Sequence, residues 1–335
     1  MLLYDENQKL GLSDFGIEIP VHDSRAANAF AALRNHKALG SEIDQWHIGA
    51  IDEVVKKEDL LRAHSKDFVN KLFSSELEKE IIRTYELIDK HGDYYRYNPE
   101  NARLPLTALF DRILKEVAGT IQCCRMALEK DFCFAFNGGM HHAQNDFGAG
   151  FCLLNDIVIA IRKLQAEKTI RKAWVIDLDA HKGDGTAALT RTDDSINTLS
   201  IHMANGWPLN GKAHDSSGKP NPSFLPSDID IPVAVGEDNF YNARLEEGLK
   251  QMERLSLPDL AVVVCGADPY EEDELPSASA LKLSLAQLAE RDRFVYEFLK
   301  RHRIPQAYLM AGGYGESSWQ VYAQFLEWVL LERLI

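Results

Sequence analysis

Acidic and imidazole side chains alternate with apolar ones in the segment VIDLDAHKGDGT, residues 175–186. Asp177, Asp179 and His181 lie two positions apart, so in extended backbone their side chains share one face. Two carboxylates and an imidazole in a dry interior need a cation or paired partners, and a bound metal is the simplest compensation. The alternative is that the acids cap the next helix or pair with lysines.

Asp268 offers a further acidic ligand, because the segment GADPY follows the apolar run LAVVVC at 260–265. Together with Asp179 and His181 it makes a set of two carboxylates and one imidazole. Three ligands leave coordination positions open for water and substrate, as catalytic zinc requires. The sequence therefore predicts a catalytic zinc site, while a helix N-cap is the alternative for Asp268 alone.

His141 and His142 stand in tandem in FNGGMHHA, after the apolar run FCFAF at 132–136. Two imidazoles beside a metal can serve as general base and general acid if a carboxylate orients each of them. Asp177 and Asp184 are available for this. A surface loop or incidental packing is the alternative for an isolated pair of histidines.

Tyr314 lies in LMAGGYGE, where the apolar run QAYLM at 306–310 ends. A phenol at this place can donate a hydrogen bond to a developing oxyanion. An ordinary turn tyrosine is the alternative, but four motifs that each follow a strand-like run argue against coincidence.

Strand-like and helix-like segments alternate along the chain. The three apolar runs above, AWVI at 173–176 and INTLSI at 196–201 are predicted to be buried strands. Helical spacing appears between them, as in Ile157, Ile161 and Leu164, in Phe240, Leu249, Met252 and Leu255, and over residues 319–334. This alternation predicts an α/β fold with a mainly parallel central sheet and helices on both faces.

The same pattern predicts where chemistry should lie, since ligand sites in such sheets collect beyond the carboxyl ends of the strands. We expect a single domain over residues 1–335 with long loops around the site. The segment 203–237 is dense in Gly, Pro, Ser and Asn and is predicted to be a long loop. Loops of this length are commonly functional, and a decorative insertion is the alternative.

Composition excludes several classes of function. The 335 residues are 45% hydrophobic, enough for a large core, and the net charge of -14 disfavours direct binding to nucleic acid or anionic membranes. Five cysteines without a CxxC pair suggest a reducing compartment. With neither a leader-like N-terminus nor an apolar run near the ~20 residues of a membrane span, we expect a soluble cytoplasmic protein.

The motifs GGMHHA, GFCLLNDI, VIDLDAHKGDGT, CGAD and AGGYG occur in this order between roughly residues 118 and 316. This set closely resembles the histone deacetylase superfamily, which includes bacterial acetoin-utilisation-type and acetylpolyamine amidohydrolases. The resemblance implies an arginase/deacetylase-like α/β domain with one zinc ion at the base of a narrow tunnel. It implies the following roles: Asp179, His181 and Asp268 as zinc ligands, His141 and His142 as general base and acid supported by Asp177 and Asp184, and Tyr314 as transition-state donor.

Further residues are implied by the resemblance alone. Gly150 and Phe151 correspond to the tunnel wall, and Trp207 to an opposing aromatic wall, with a core tryptophan as its alternative. A structural potassium ion is implied at Asp177, Ser200 and the main-chain oxygens of Asp179, His181 and Ile201. Arg25 matches an internal arginine near the product-release path or makes a surface salt bridge, and Glu100 stands about where an acidic substrate clamp is often found.

Substrate choice is the least determined feature. Lys182, Met140 and a short glycine run before Tyr314 depart from the family pattern and leave acyl preference open. Acetyl-lysine in proteins is the first expectation and small acetylated polyamines the second, with the acidic run at 271–274 either attracting cationic amines at the tunnel rim or forming a solvated helix start. The dimanganese ureohydrolases are a competing class of enzyme, but their sites need more carboxylates after the last ligand than this sequence offers. An inactive binding protein is the non-enzymatic alternative.

Overall fold

One parallel sheet organises the chain. The computed structural model describes residues 1–214 and 216–334, so position 215 of the predicted loop and position 335 lie outside the described residues. Its strands are β1 (Leu2–Leu3), β2 (His47–Ile48), β3 (Phe132–Ala135), β4 (Ala173–Asp177), β5 (Ile196–Met203), β6 (Ile229–Val233), β7 (Leu260–Val264) and β8 (Gln306–Leu309). These eight strands pair in the order β2-β1-β3-β8-β7-β4-β5-β6, and each neighbouring pair is parallel.

Helices cover both faces of the sheet, because successive strand residues point to opposite sides. The helices are α1 (Ser24–Asn35), α2 (Lys37–Gly40), α3 (Ile43–Trp46), α4 (Lys57–Leu60), α5 (Lys66–Leu72), α6 (Leu77–Thr84), α7 (Leu109–Lys130), α8 (Asp156–Ala166), α9 (Asp184–Thr190), α10 (Tyr241–Leu255), α11 (Leu285–Arg301) and α12 (Trp319–Leu334). In β4, Trp174 and Ile176 belong to the core on the side of α1, α10, α11 and α12, whereas Val175 belongs to the core on the side of α7 and α8. The predicted α/β fold class is confirmed. None of the helices in the described part of the chain has the length and apolar character needed to cross a membrane.

The five predicted strands are confirmed as β3, β4, β5, β7 and β8. Four of them, β3, β8, β7 and β4, are consecutive in the sheet, and each is followed by one of the four sequence motifs. Since the carboxyl ends of parallel strands meet at one edge, the fold gathers motifs that lie up to about 180 residues apart in the sequence.

The prediction of a loop over 203–237 is wrong in part. Ile229, Ile231 and Val233 pack toward the core as part of β6, at the edge of the sheet, and residues Pro222–Phe224 form a short 3-10 helix. Pro232 stands inside β6, which an edge strand tolerates because one side needs no ladder hydrogen bond.

Helix α10 also differs from its prediction. Its buried face carries Leu245, Leu249 and Met252. Phe240 precedes the helix and is 58% exposed, and Leu255 is 50% exposed, so neither belongs to the apolar face.

Candidate active site

Asp179, His181 and Asp268 converge beyond the ends of β4 and β7. All three are buried, and their ligand atoms lie within 4.8 Å of one another. His181 Nδ1 is 3.0 Å from Asp268 Oδ2 and 3.2 Å from Asp179 Oδ1. Among the residues that the structure describes, this is the single group of three or more such side chains able to hold a metal ion. The three predicted ligands are therefore brought together.

Backbone groups fix the two carboxylates. The N–H of Ala180 donates to Asp268 Oδ1 at 2.9 Å, and the N–H of Gly312 donates to Asp179 Oδ2 at 3.2 Å. A Cβ on Gly266 or Gly312 would lie 2.6 Å or 2.5 Å from Asp179 Oδ2. Glycine is required at both positions because the backbone approaches the carboxylates too closely for a side chain.

The charges at this group fit a divalent cation. Burial and the Asp179 carboxylate raise the pKa of Asp268 to about 7. Burial opposes a charge on His181, but Asp179 and Asp268 outweigh it and raise its pKa to about 10. The two acids thus hold a proton on the imidazole, in the place where a cation would satisfy both. Two carboxylate oxygens and one imidazole nitrogen are ligands that zinc accepts while keeping a position open.

Each of the tandem histidines forms a hydrogen bond with a carboxylate. His141 Nδ1 lies 2.7 Å from Asp177 Oδ2, and His142 Nδ1 lies 2.7 Å from Asp184 Oδ1. All four residues are buried. This pairing matches the one predicted. It leaves Nε2 of His142 without a hydrogen bond, while Nε2 of His141 lies 3.8 Å from Asp179 Oδ1.

Two further side chains hold Asp184 and were not predicted. Gln144 Nε2 donates to Asp184 Oδ2 at 3.0 Å, and the Ser223 hydroxyl donates to the same oxygen at 2.6 Å. Ser223 belongs to the segment 203–237, so this segment reaches the site. Neither residue stands in a motif, and no spacing in the sequence relates Ser223 to Asp184.

The two histidines differ in charge. Burial opposes protonation of His141, but the carboxylates of Asp177 and Asp179 outweigh it and raise its pKa to about 9. Burial and the neighbouring His141 lower the pKa of His142 to about 4. At neutral pH His142 is therefore neutral, and its Nε2 accepts no hydrogen bond from a described residue.

Tyr314 faces the same cavity as the two tandem histidines, Asp179 and His181. Its backbone N–H donates to Asp273 Oδ2 at 2.7 Å, and Arg25 Nη1 donates to the Gly313 carbonyl at 2.8 Å. Burial and the charges of the nearby carboxylates raise the pKa of Tyr314 well above its usual value. The phenol consequently stays protonated as a hydrogen-bond donor.

Gly150, Phe151 and Trp207 form the walls of the approach to the histidines. The Trp207 and His142 ring centroids are 4.5 Å apart with planes at 73°, and Trp207 is half-buried, so it is not a core tryptophan. A Cβ on Gly150 would lie 2.3 Å from Trp207 Cη2 and 2.7 Å from His142 Cδ2. These walls line a pocket of about 160 Å³, here called the outer pocket, which also reaches His142, His181 and Tyr314.

A larger cavity of about 430 Å³ extends behind the histidines toward the N-terminal segment. Arg25 lines it, is half-buried and donates to the Gly313 carbonyl next to Tyr314, so it is not a surface residue held in a salt bridge. Glu100 is exposed in the short 3-10 helix Pro99–Asn101 and is absent from the residues that line the outer pocket. Glu86 is the acidic residue that lines that pocket, together with Arg96, and the correspondence of Glu100 to a substrate clamp stays a prediction.

The residues implied for potassium also lie near one another. Asp177 and Ser200 are register partners on β4 and β5, and Ile201 follows Ser200 on β5. The carbonyl oxygens of Asp179 and His181 accept no hydrogen bond from the described residues. Buried carbonyl oxygens without donors are suitable ligands for a monovalent cation.

His64 holds the loop that follows the tandem histidines. Its Nδ1 donates to the Gln144 carbonyl at 2.8 Å, and its Nε2 accepts from the Asn155 N–H at 3.0 Å. Both nitrogens are satisfied only in the neutral ring. Burial lowers the pKa of His64 to about 4, consistent with this arrangement.

Comparison with known proteins agrees with the geometry. The model of the histone deacetylase domain matches residues 19–329. Histone deacetylase 2 of Arabidopsis thaliana is 28% identical over 283 residues, which cover 83% of this chain and 66% of the relative. An uncharacterised protein of Picosynechococcus sp. is 31% identical over 64% of this chain and 67% of that protein. Histone deacetylase B of Dictyostelium discoideum is 31% identical over 77% of this chain and 57% of its own length.

Solved structures share the fold. A histone deacetylase homologue from Aquifex aeolicus aligns with a TM-score of 0.66 at 23% identity, covering 98% of this chain and 82% of that chain. A histone deacetylase homologue complexed with SAHA aligns with a TM-score of 0.67 at 22% identity and the same coverage. The chain belongs to the histone deacetylase family. It spans about two thirds or less of the length of the curated relatives named above.

Proposed function

We propose that this protein is a zinc-dependent deacetylase that hydrolyses the amide of N-acetylated amines, with acetyl-lysine in proteins as its main substrate. The observation that carries the proposal is the convergence of two buried carboxylates and an imidazole beside a neutral histidine whose Nε2 is free. This is the set of groups that metal-assisted amide hydrolysis requires.

Asp179, His181 and Asp268 would hold the zinc ion. When bound, zinc supplies a Lewis acid for the amide carbonyl and lowers the pKa of a water molecule. Asp177, Ser200, Ile201 and the carbonyl oxygens of Asp179 and His181 would hold a structural potassium ion, which stabilises the loop between β4 and α9.

His142 acts as the general base in this proposal. Its Nε2 takes a proton from the attacking water as the water oxygen bonds to the amide carbon, and Asp184 holds the ring by its Nδ1–H. When the carbon–nitrogen bond breaks, the same proton passes to the departing amine nitrogen. Acetate and a free amine are the products.

His141 and Tyr314 stabilise charge. Asp177 keeps His141 protonated, so a positive charge stands beside the carbon that becomes tetrahedral. The Tyr314 hydroxyl donates a hydrogen bond to the oxyanion, a contribution worth about two to three orders of magnitude in kcat when such a donor is removed.

The walls select a thin, unbranched amine. Gly150, Phe151 and Trp207 leave no room for a side chain beside His142, because even one Cβ on Gly150 would contact both rings. The aliphatic stem of an acetylated lysine fits such a passage, and so does an acetylated polyamine, which is the second candidate substrate.

Acetate release tests the proposal. The purified protein is incubated with an acetyl-lysine peptide, and acetate is measured before and after chelation of metal, with His142→Ala as the control variant. We expect release that depends on metal and is lost in His142→Ala. Failure of the untreated protein to release acetate, with zinc bound, would favour an inactive binding protein or another acyl group.

A further inference from the structure

The mouth of the approach to the active site carries an ion pair. The outer pocket reaches from His142 and His181 to Glu86 and Arg96, and its other lining residues are Gly150, Phe151, Trp207, Leu275, Ser277 and Tyr314. The Arg96 guanidinium pairs with the Glu86 carboxylate. Both side chains are accessible, with 26% of Arg96 and 45% of Glu86 exposed, so a substrate emerging from the site can meet them.

Aromatic rings hold the guanidinium of Arg96 in place. Its Cζ lies 5.1 Å from the centroid of Phe151, which is a wall of the approach, and 4.8 Å from the centroid of Tyr95. The Arg96 carbonyl also accepts the N–H of Glu18 at 2.9 Å. Cation–π contacts on two rings and a fixed backbone keep the positive charge at the mouth.

We infer that Arg96 is a specificity-determining residue, which neutralises Glu86 at the mouth and thereby favours acetyl-lysine within a peptide over acetylated polyamines. This inference rests on the proposed deacetylase function and names its substrate class. The metal group cannot supply this preference, because both substrates would present the same acetyl group to it.

The lengths of the two substrates explain how a charge at the mouth can discriminate between a diamine and a peptide. An acetylated diamine such as N-acetylputrescine has as many methylene groups between its two nitrogens as lysine has between its amine and its α-carbon. When the acetyl group of either substrate reaches the metal group, the free ammonium of the diamine occupies the place that the α-carbon of lysine would take. That ammonium would be attracted by Glu86 alone, but Arg96 cancels the attraction.

A peptide makes a different contact at the same place. Its main chain is uncharged there and presents carbonyl oxygens. Arg96 donates to Glu86 through Nη1, which leaves the other N–H groups of the guanidinium able to donate to those carbonyls. The ion pair therefore weakens the attraction of the cationic amine and does not weaken binding of the peptide.

The acidic run at 271–274 does not replace Glu86 in this role. Asp273 and Glu274 accept the backbone N–H groups of Tyr314 and Glu316. Glu271 and Glu272 are exposed, but neither belongs to the residues that line the outer pocket. Their charges act at a greater distance and are screened by salt.

The experiment compares kcat/KM for an acetyl-lysine peptide and for N-acetylputrescine at low salt. In Arg96→Gln, Glu86 becomes unopposed, and we expect the ratio of the two constants to shift about fivefold toward the diamine, as a partly exposed charge allows. In Glu86→Gln the shift should be in the opposite direction. The double variant, which is neutral at both positions, should return close to the parent ratio, and Arg96→Lys should retain it.

A charge-matched control is available in Arg103, whose side chain is 75% exposed and pairs with Asp14 at 3.5 Å, outside the residues that line the pocket. Arg103→Gln changes the net charge equally and should leave the ratio unchanged. If Arg96→Gln and Arg103→Gln give the same ratio, the inference is wrong. If the parent protein releases acetate from neither substrate, the proposed function fails instead, so the two failures are distinguishable.

Discussion

Gly150 provides the sharpest test of the geometry, since the structure leaves no space for any side chain there. Its φ is +55°, and a Cβ would lie 2.3 Å from Trp207 Cη2 and 2.7 Å from His142 Cδ2. Trp207 is half-buried and can swing outward, whereas His142 is held by its hydrogen bond to Asp184. In Gly150→Ala we therefore expect His142 to be displaced or its hydrogen bond to lengthen.

Two costs add in this variant. Alanine in a left-handed backbone conformation costs about 1 kcal/mol of stability, and the crowding costs roughly 1–3 kcal/mol more. A total loss of about 3 kcal/mol in the free energy of unfolding is expected. Because misplacement of a catalytic group by about 1 Å can cost on the order of a hundredfold in rate, turnover of an acetyl-lysine peptide should fall by about that factor.

Gly92→Ala is the matched control. Gly92 has φ +91° and is exposed, and nothing lies within 4 Å of the position of its Cβ, so only the backbone cost applies. Urea unfolding should show a loss of about 1 kcal/mol for Gly92→Ala, with unchanged turnover. If Gly150→Ala loses no more stability than Gly92→Ala and keeps its turnover, the tight contact among Gly150, Trp207 and His142 does not exist in solution.

Three other predictions concern single residues. Tyr314→Phe should lower kcat about 100- to 1000-fold while zinc content, measured by atomic absorption, stays the same; retained turnover would exclude Tyr314 as an oxyanion donor. Asp268→Asn should weaken zinc binding at least about 100-fold in a competitive chelator titration, and unchanged affinity would contradict its assignment as a ligand. His64 has a pKa of about 4 in the folded protein against an ordinary 6.5, so the unfolded chain binds this proton first and stability should be lost as pH falls through that window. The full loss is about 3 kcal/mol, and urea unfolding at a series of pH values should show a smaller slope in His64→Gln; an equal slope would refute the role given to His64.

The sequence allowed the core of the fold and the site to be predicted together. The runs that became β3, β4, β7 and β8 are apolar on both faces, as expected of strands covered by helices on both sides, and the polar residues that follow them must gather at one edge. Asp179, His181 and Asp268 are consequently close in space although Asp268 is 87 residues from His181.

Weakly patterned strands were missed for physical reasons. β1 and β2 have two residues each, too few to show a period. β6 alternates Ile229, Ile231 and Val233, but Asp230 and Pro232 between them resemble loop composition. Only the position of β6 at the sheet edge, which the sequence does not reveal, makes a proline acceptable there.

Several side-chain contacts around the site could not be predicted from the sequence. Ser223 lies 39 residues after Asp184, in a segment without periodicity, and reaches it through the path of the loop. Arg96 and Glu86 pair across a turn in the N-terminal third of the chain. Glu100 was expected near the mouth because of its approximate position in the sequence, and a 3-10 helix places it on the surface. Such contacts depend on loop conformation, for which the hydrophobic pattern carries no signal.

A zinc titration of metal-stripped protein, with bound zinc and acetate release from an acetyl-lysine peptide followed in the same samples, tests whether this protein is a deacetylase with one catalytic zinc. We expect both quantities to rise together and to level off at one zinc ion per chain, and Asp268→Asn to show neither rise at the same zinc concentrations. Full acetate release without metal, or a requirement for two zinc ions per chain, would show that the proposed single zinc site does not carry the reaction.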